Sequence, residues 1–348
     1  MRRHQQDIIK SESGIHAIII PRFAPNHKHH KRGGREGGIH AIIHRMIKPW
    51  YISPPVQNTD RLRNYLSVLT HLEGQKWNVA TREAFQILLI QKVLFRYYLP
   101  PDELMPMMSK GIKEISPGRA KSLFVSKNYK DPSYRAVRLV APLIKCGFLS
   151  VESGVVHVTG MGDLLLAETC DYSEIILRFL LKWELPNQLE RNYFPSHGYN
   201  IKPFIGLVQL LGAVNQLCRN KQAKGMSYGE VGVFGLTLID WRDIQKTAEE
   251  IMAFRRRAAK FPAEKRAAFL DKEATHLRPQ FNMRNLRELA FDAVNYFRAT
   301  KYLSYSRGED DFYVNFEKTR EVEINSILRR DNARPIFCNT VAQCAAVI

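Results

Sequence analysis

The sequence predicts a mainly helical α+β fold in which the strands are confined to small hairpins. Two observations predict it. Between Ser133 and Glu168 the chain reads as a helix, a break at Gly147, a hairpin turning at Ser153-Gly154, and a second helix opening at Thr159. A weaker copy follows: a helical stretch from Asn285 to Thr300, strands at Tyr302 to Tyr305 and Phe312 to Val314, and a helix from Glu317 to Arg330. Helix, two-stranded wing, helix is the order of a winged-helix domain, so the chain reads as tandem winged-helix or helix-turn-helix subdomains.

The first copy carries the clearer pattern. Val137, Val140 and Ile144 recur at three- and four-residue spacing on one helical face, leaving Arg135, Arg138 and Lys145 for another. In the hairpin Val156 and Val158 flank His157, the alternation of a half-buried strand. Pro142 is a misfit, expected to kink the helix or to start a separate turn. In the second copy Leu286, Leu289, Val294 and Phe297 point inward, and Arg284, Arg287 and Arg298 outward.

The rest of the chain is assigned around these two blocks. Residues 1–45 hold seven of the eleven histidines, the basic run HKHHKRGGREGG and a repeated GIHAII. They are read as a disordered low-complexity extension, with Met46 as an alternative start. Residues 46–215 form a first recognition subdomain whose winged helix spans about 110–185. Thr59-Asp60 caps a helix with a Leu62, Tyr65, Leu66, Leu69 stripe, and a second helix begins near Thr81 and is interrupted at PPDELMP. Tyr172 to Trp183 is helical, Asn187 to Lys202 is a surface loop, and Phe204 to Leu217 is a buried helix. Residues 216–330 form the second winged-helix-like subdomain. There Ser227 caps a short helix, the next starts within Thr237 to Asp240, and a helix from Gln245 ends in three arginines. Residues 331–348 are an irregular tail with no partner element.

Composition narrows the function. The chain of 348 residues has 52 lysines and arginines against 34 acidic residues, a net charge of +18, and a pI near 9.7. That balance favours a polyanionic partner, nucleic acid first. Five cysteines without a C-x-x-C pair exclude a zinc ribbon and fit a reducing cytoplasm. No apolar run reaches membrane-spanning length.

The search for catalysis is negative. None of the 34 acidic residues is followed two positions later by lysine, the strand spacing that sets a carboxylate and a lysine on one face in metal-dependent nucleases. There is no P-loop, G-x-S-x-G or H-E-x-x-H motif. Binding features are stronger. Arg135 and Arg138 offer bidentate donors to guanine edges, with Lys127, Lys130 and Lys145 on phosphates and His157 in the wing. Arg284, Arg287, Arg298 and Lys301 are their counterparts in the second copy.

Four blocks carry a family resemblance: WYISPP near Trp50, RLVAPLIKCGFLSVESGVVHVTGMGDLLL, LLKWELP at Leu180 to Pro186, and AEEIMAFRRR at Ala248 to Arg257. In this order, between about Lys48 and Leu328, they resemble the amino-terminal half of AlwI-type restriction endonucleases. These type IIS and nicking enzymes recognise a short asymmetric site. The resemblance implies a double-stranded DNA partner, a monomer, and a Mg²⁺-dependent nuclease domain on the carboxyl side. This chain stops about where the recognition region ends, so the expectation is binding without cutting, with no cofactor, no metal ligands and no catalytic residue of its own. Cleavage would then fall to a separate nuclease chain or be lost. The same residues also fit a tandem winged-helix regulator or plasmid replication initiator, which calls for a symmetric or repeated site and a dimer.

Overall fold

A computed structural model describes residues 48–51, 60–167, 169, 171–187, 198–218, 225–277, 281–308, 311–330 and 333–336. The histidine-rich first segment, the Thr59 cap and the centre of the 187–202 loop lie outside them. The described chain is mainly helical, with two small antiparallel sheets.

The helix α1 (Asp60–Leu69) buries Leu62, Tyr65, Leu66 and Leu69, the stripe expected from sequence. The next helix, α2 (Val79–Gln91), begins two residues earlier than Thr81, because Asn78 is its cap and accepts the Thr81 amide at 3.1 Å. PPDELMP does not merely interrupt: Pro101 opens α3 (Pro101–Ser109), where its fixed φ and missing amide suit the first turn. The chain continues through α4 (Pro117–Ser126) and α5 (Pro132–Lys145) into a hairpin of β1 (Leu149–Glu152) and β2 (Val155–Val158). Ser153 and Gly154 both have positive φ, 49° and 77°, as a primed two-residue turn requires. Then α6 (Gly160–Leu166), capped by Thr159, lies so close to the hairpin that any side chain at Gly162 would overlap the Phe148 carbonyl. A single bridge from Lys76 to Val155 adds a third, very short strand to β2.

The second half repeats this order. After α7 (Tyr172–Lys182), which closes the first half, and the buried α8 (Pro203–Leu217) comes β3 (Met226–Ser227), then a short helix α9 (Tyr228–Glu230) that widens into a π turn over Val231–Gly235. The helices α10 (Ile244–Ala258), α11 (Ala263–Leu277) and α12 (Met283–Arg298) lead to the hairpin of β4 (Leu303–Arg307) and β5 (Phe312–Phe316), and α13 (Glu321–Arg330) follows. The sheet order is β3-β5-β4. Each half therefore has a helix, a short strand, further helices, then a hairpin whose second strand pairs with the short one. Each also leaves its last helix through a residue at positive φ, Gly147 (73°) or Lys301 (60°).

One core joins the halves. Trp50 is fully buried, packs edge-on against Trp183 of the first half at 5.9 Å, and lies 6.2 Å from Phe297 of α12. Its amide and indole N–H donate to the Leu236 and Leu238 carbonyls, each at 2.9 Å. Two stretches are more buried than expected from sequence. The end of the 187–202 loop buries Tyr199 and Ile201, and Ile201 exchanges both backbone hydrogen bonds with Leu185. The start of the tail buries Ala333, whose carbonyl accepts the Lys202 amide at 2.7 Å, while the Ile336 amide donates to Glu184 at 2.8 Å. The helix α11 has no counterpart in the sequence reading, since its apolar residues are few and spaced among lysines and glutamates.

A buried ion pair pins the second half. Ser227 and Glu230 form a reciprocal capping box. Glu230, 4% exposed, also accepts from Nε and Nη2 of Arg255, each at 2.8 Å, and the same guanidinium reaches the Gly225 carbonyl. Burial opposes the Arg255 charge, yet Glu230 holds its pKa above the ordinary value. Glu230→Ala would strand that charge and should lower stability by about 3–5 kcal/mol in a urea titration, whereas replacing both partners by apolar residues should cost less. An unchanged midpoint for the single variant would refute the role of the pair.

Candidate nucleic-acid interface

In the first half the turn between α4 and α5 and the outer face of α5 form one basic surface. Asp131 caps α5 by accepting the Tyr134 amide at 2.9 Å, and Pro132 starts it. Pro142 is buried within the helix, which runs on past it to Lys145; its missing N–H deprives only the Arg138 carbonyl of a helical donor. Ala136, Val140 and Leu143 make the buried face. Opposite them, at spacings of four, three and four, stand Tyr134 and Arg138, exposed, and Ala141 and Lys145, half-buried. Lys127 and Lys130 are exposed in the preceding turn.

Arg135 belongs to a different structure. Its guanidinium stacks on the rings of Tyr129 (4.9 Å), Phe95 (5.4 Å) and Tyr98 (5.7 Å), and Nη1 donates to the Tyr98 hydroxyl at 3.2 Å. Lys127 covers the same Tyr98 ring at 5.4 Å. Burial tends to raise the Tyr129 pKa, but the Tyr98 hydrogen bond and the charges of Arg135 and Lys127 outweigh it and lower the value. Arg135 thus fixes the turn that presents Lys127, Tyr129 and Lys130. In the wing His157 is half-exposed, and its Nδ1 lies 3.6 Å from Oε1 of Glu73, whose other oxygen accepts the Val158 amide at 2.8 Å.

The second half presents a different face. Arg284 is exposed and pairs with Glu288 at 3.1 Å along α12. Arg287 turns to Asp271 of α11 at 3.0 Å. Arg298 lies over the Tyr305 ring at 3.8 Å, and Lys301 reaches Asp171 of the first half at 3.3 Å. The outward stripe of α12 is Arg284, Glu288, Phe291, Asn295 and Arg298. Phe291 is 44% exposed although it is large and apolar. The sequence signal for it is its position opposite Leu286 and Leu289 on the helical wheel.

Among the described residues no group of three or more His, Cys, Asp or Glu side chains is placed to hold a metal ion. Nor, among them, is any helix long and apolar enough to cross a membrane.

The model of the AlwI restriction endonuclease family matches residues 144–342, more than half of the chain. The chain belongs to the AlwI restriction endonuclease family. The match takes in β1, β2 and everything after them, including the start of the tail. Among solved structures, this AlwI-family chain is similar to the crystal structure of pyrene- and phenanthrene-modified DNA in complex with the BpuJ1 endonuclease binding domain. The TM-score is 0.51 and the identity 11%, over 83% of this chain and 88% of that one. At that identity the likeness is one of fold. No curated protein sequence matches the chain.

The inner side of α12 carries a buried acid. Asp292 is 8% exposed and one of its carboxylate oxygens has no hydrogen-bond partner among the described residues. Burial, and then the nearby Glu288 charge, push its pKa above the ordinary 3.8. The unfolded chain therefore gives up this proton at a lower pH than the folded one, and stability falls as pH rises from 3.8 through the folded value. Asp292→Asn should melt a few degrees higher than the parent at pH 7, with the gain vanishing as pH is lowered toward 4. A lower melting temperature at pH 7 would contradict this.

Proposed function

We propose that this chain is a sequence-specific double-stranded DNA-binding module, the recognition part of a type IIS-like restriction endonuclease. Its two halves act as winged-helix units, with α5 and α12 as the helices presented to DNA and the β1–β2 and β4–β5 hairpins as wings. The strand pairing supports this reading, since in each half a short strand before the helices pairs with the second hairpin strand. The BpuJ1 endonuclease binding domain, which is similar in fold, is found with DNA.

The observation that carries the reading is the basic face of the first unit. Tyr134, Arg138 and Lys145 stand on the outer side of α5, above a turn whose lysines project into solvent. Lysines in the turn are placed for phosphates, and Arg138 for a base edge or a phosphate. Arg135 acts as a positioning residue behind them. The described residues bind without cutting, the target is asymmetric, and the protein binds it as a monomer.

Selection of bound duplexes from a random pool should enrich one short asymmetric sequence, with no nicking of it when Mg²⁺ is added. Enrichment of a palindrome or direct repeat would favour a regulator, and no enrichment would remove sequence specificity. On the selected duplex, Lys127→Ala, Lys130→Ala and Arg138→Ala should each flatten the log–log salt dependence by about 0.9, the contribution of one phosphate contact. Unchanged slopes for all three would move the DNA away from α5.

A further inference from the structure

The two units differ in a way that their common topology does not explain. From Pro117 to Val158 the first unit has seven lysines and arginines against two acidic residues; from Ala263 to Phe316 the second has nine against eight. Four of the basic groups singled out in the second unit are already engaged: Arg284 with Glu288, Arg287 with Asp271, Arg298 on Tyr305, and Lys301 with Asp171. A surface so neutral is poorly made for releasing counterions from a phosphate backbone.

What this surface exposes instead is aromatic rings. Phe291 of α12 is 44% exposed, and Tyr305 and Phe312 of the hairpin are 46% and 42% exposed. They surround the half-buried Tyr228, which meets Phe291 edge-on at 6.2 Å and Phe312 at 6.0 Å; Phe312 in turn lies 6.2 Å from Tyr305. The strand register explains the grouping. Leu303, Tyr305 and Arg307 share one face of β4, and their partners Phe316, Val314 and Phe312 share the same face of β5. That face begins in the core at Leu303 and Val314 and runs outward to Tyr305 and Phe312. The rings therefore fill the angle between α12 and its hairpin, the place a winged-helix unit offers to a duplex.

We propose that the second unit engages DNA through its bases, with Phe291, Phe312 and Tyr305 making apolar and stacking contacts that open one base step. This rests on the reading of both halves as DNA-facing units. Two features of the surface favour bases over a protein partner. Three half-exposed rings leave on the order of 250 Å² of apolar surface, given about 150–250 Å² per aromatic side chain, whereas a stable protein contact buries about 800 Å² per partner. Along α12 Phe291 lies between Asn295 and the Arg284–Glu288 pair, and the Arg298 guanidinium lies over the Tyr305 ring as one does beside a base. Insertion of apolar side chains between base steps unstacks and kinks the duplex, and it depends on which step is deformed. The first unit then supplies the charge and the second the deformation.

The test uses the full chain and the duplex selected from the random pool, with 2-aminopurine placed in turn at each position. The parent protein should raise 2-aminopurine fluorescence at one step. Phe291→Ala combined with Phe312→Ala should abolish that rise and weaken binding about tenfold or more, with the salt slope unchanged. Phe312→Leu, which keeps the hairpin's apolar contact but not the ring, should lose the fluorescence change while melting like the parent. If the parent binds no duplex specifically, the functional reading falls and this inference with it. If the parent binds but the variants bind equally well and keep the fluorescence rise, the inference alone is overturned. Weaker binding with a flatter salt slope overturns it too, because the rings would then be supporting phosphate contacts. So does a variant that changes the sedimentation coefficient of the free protein without changing DNA affinity, since the patch would then be a protein contact.

Discussion

The burial of Trp50 is the constraint on which the geometry of the whole molecule depends. Its indole fills the space between Trp183, at the end of α7, and Phe297, on the inner face of α12, and its two N–H groups satisfy the carbonyls of Leu236 and Leu238 after the π turn. Phe204 of α8 completes the cluster, 5.0 Å from Phe297. Tryptophan suits this place because it combines a large apolar surface with one donor that needs a buried acceptor. The consequence is mechanical. Two helix-hairpin units that would otherwise be joined by a linker are set at one distance and one orientation, which on the proposed function is what lets a duplex lying across both be read in a fixed register.

The two units solve different parts of the problem with the same topology. In the first, long-range aromatic contacts hold Arg135 so that the turn residues Lys127 and Lys130 are left to solvent. In the second, ion pairs and stacking engage Arg284, Arg287 and Arg298 and leave rings exposed between helix and hairpin. Electrostatic attraction is long-ranged and tolerant of sequence, whereas apolar contact with bases is short-ranged and depends on how readily a step deforms. On the proposed function, the first unit finds DNA and the second discriminates within it. The buried Glu230–Arg255 pair serves the second part by fixing β3 to α10, which holds the sheet against which β5 and its aromatic residues are placed.

Local signals made the first unit legible in the sequence. Gly147, Ser153-Gly154 and Thr159 are each required by the backbone at that point, as a positive-φ exit, a primed turn and a cap, and they fall where expected. The α1 stripe and the buried α8 were equally plain. What escaped was set by contacts distant in the chain. Arg135 and Arg287 look outward on a helical wheel, but Tyr98, thirty-seven residues away, and Asp271 draw them in. Ala333 reads in sequence as part of an irregular tail, but its carbonyl accepts the Lys202 amide at the start of α8. The helix α11 buries little of its own and was hidden by its charge. Family membership was readable from the order of short blocks; the family match covers LLKWELP, AEEIMAFRRR and the second block from Ile144 on and reaches into the tail, while WYISPP lies outside it.

Hydrogen exchange of the full chain with and without its selected duplex tests the central claim most directly. The expected result is slowed exchange in two separate places, the α4–α5 turn with the β1–β2 hairpin and the α12 face with the β4–β5 hairpin, with protection of the first diminishing at high salt and that of the second persisting. Protection restricted to α1, α2 and α13, or spread evenly over the molecule, would contradict the assignment of either helix-hairpin face to DNA.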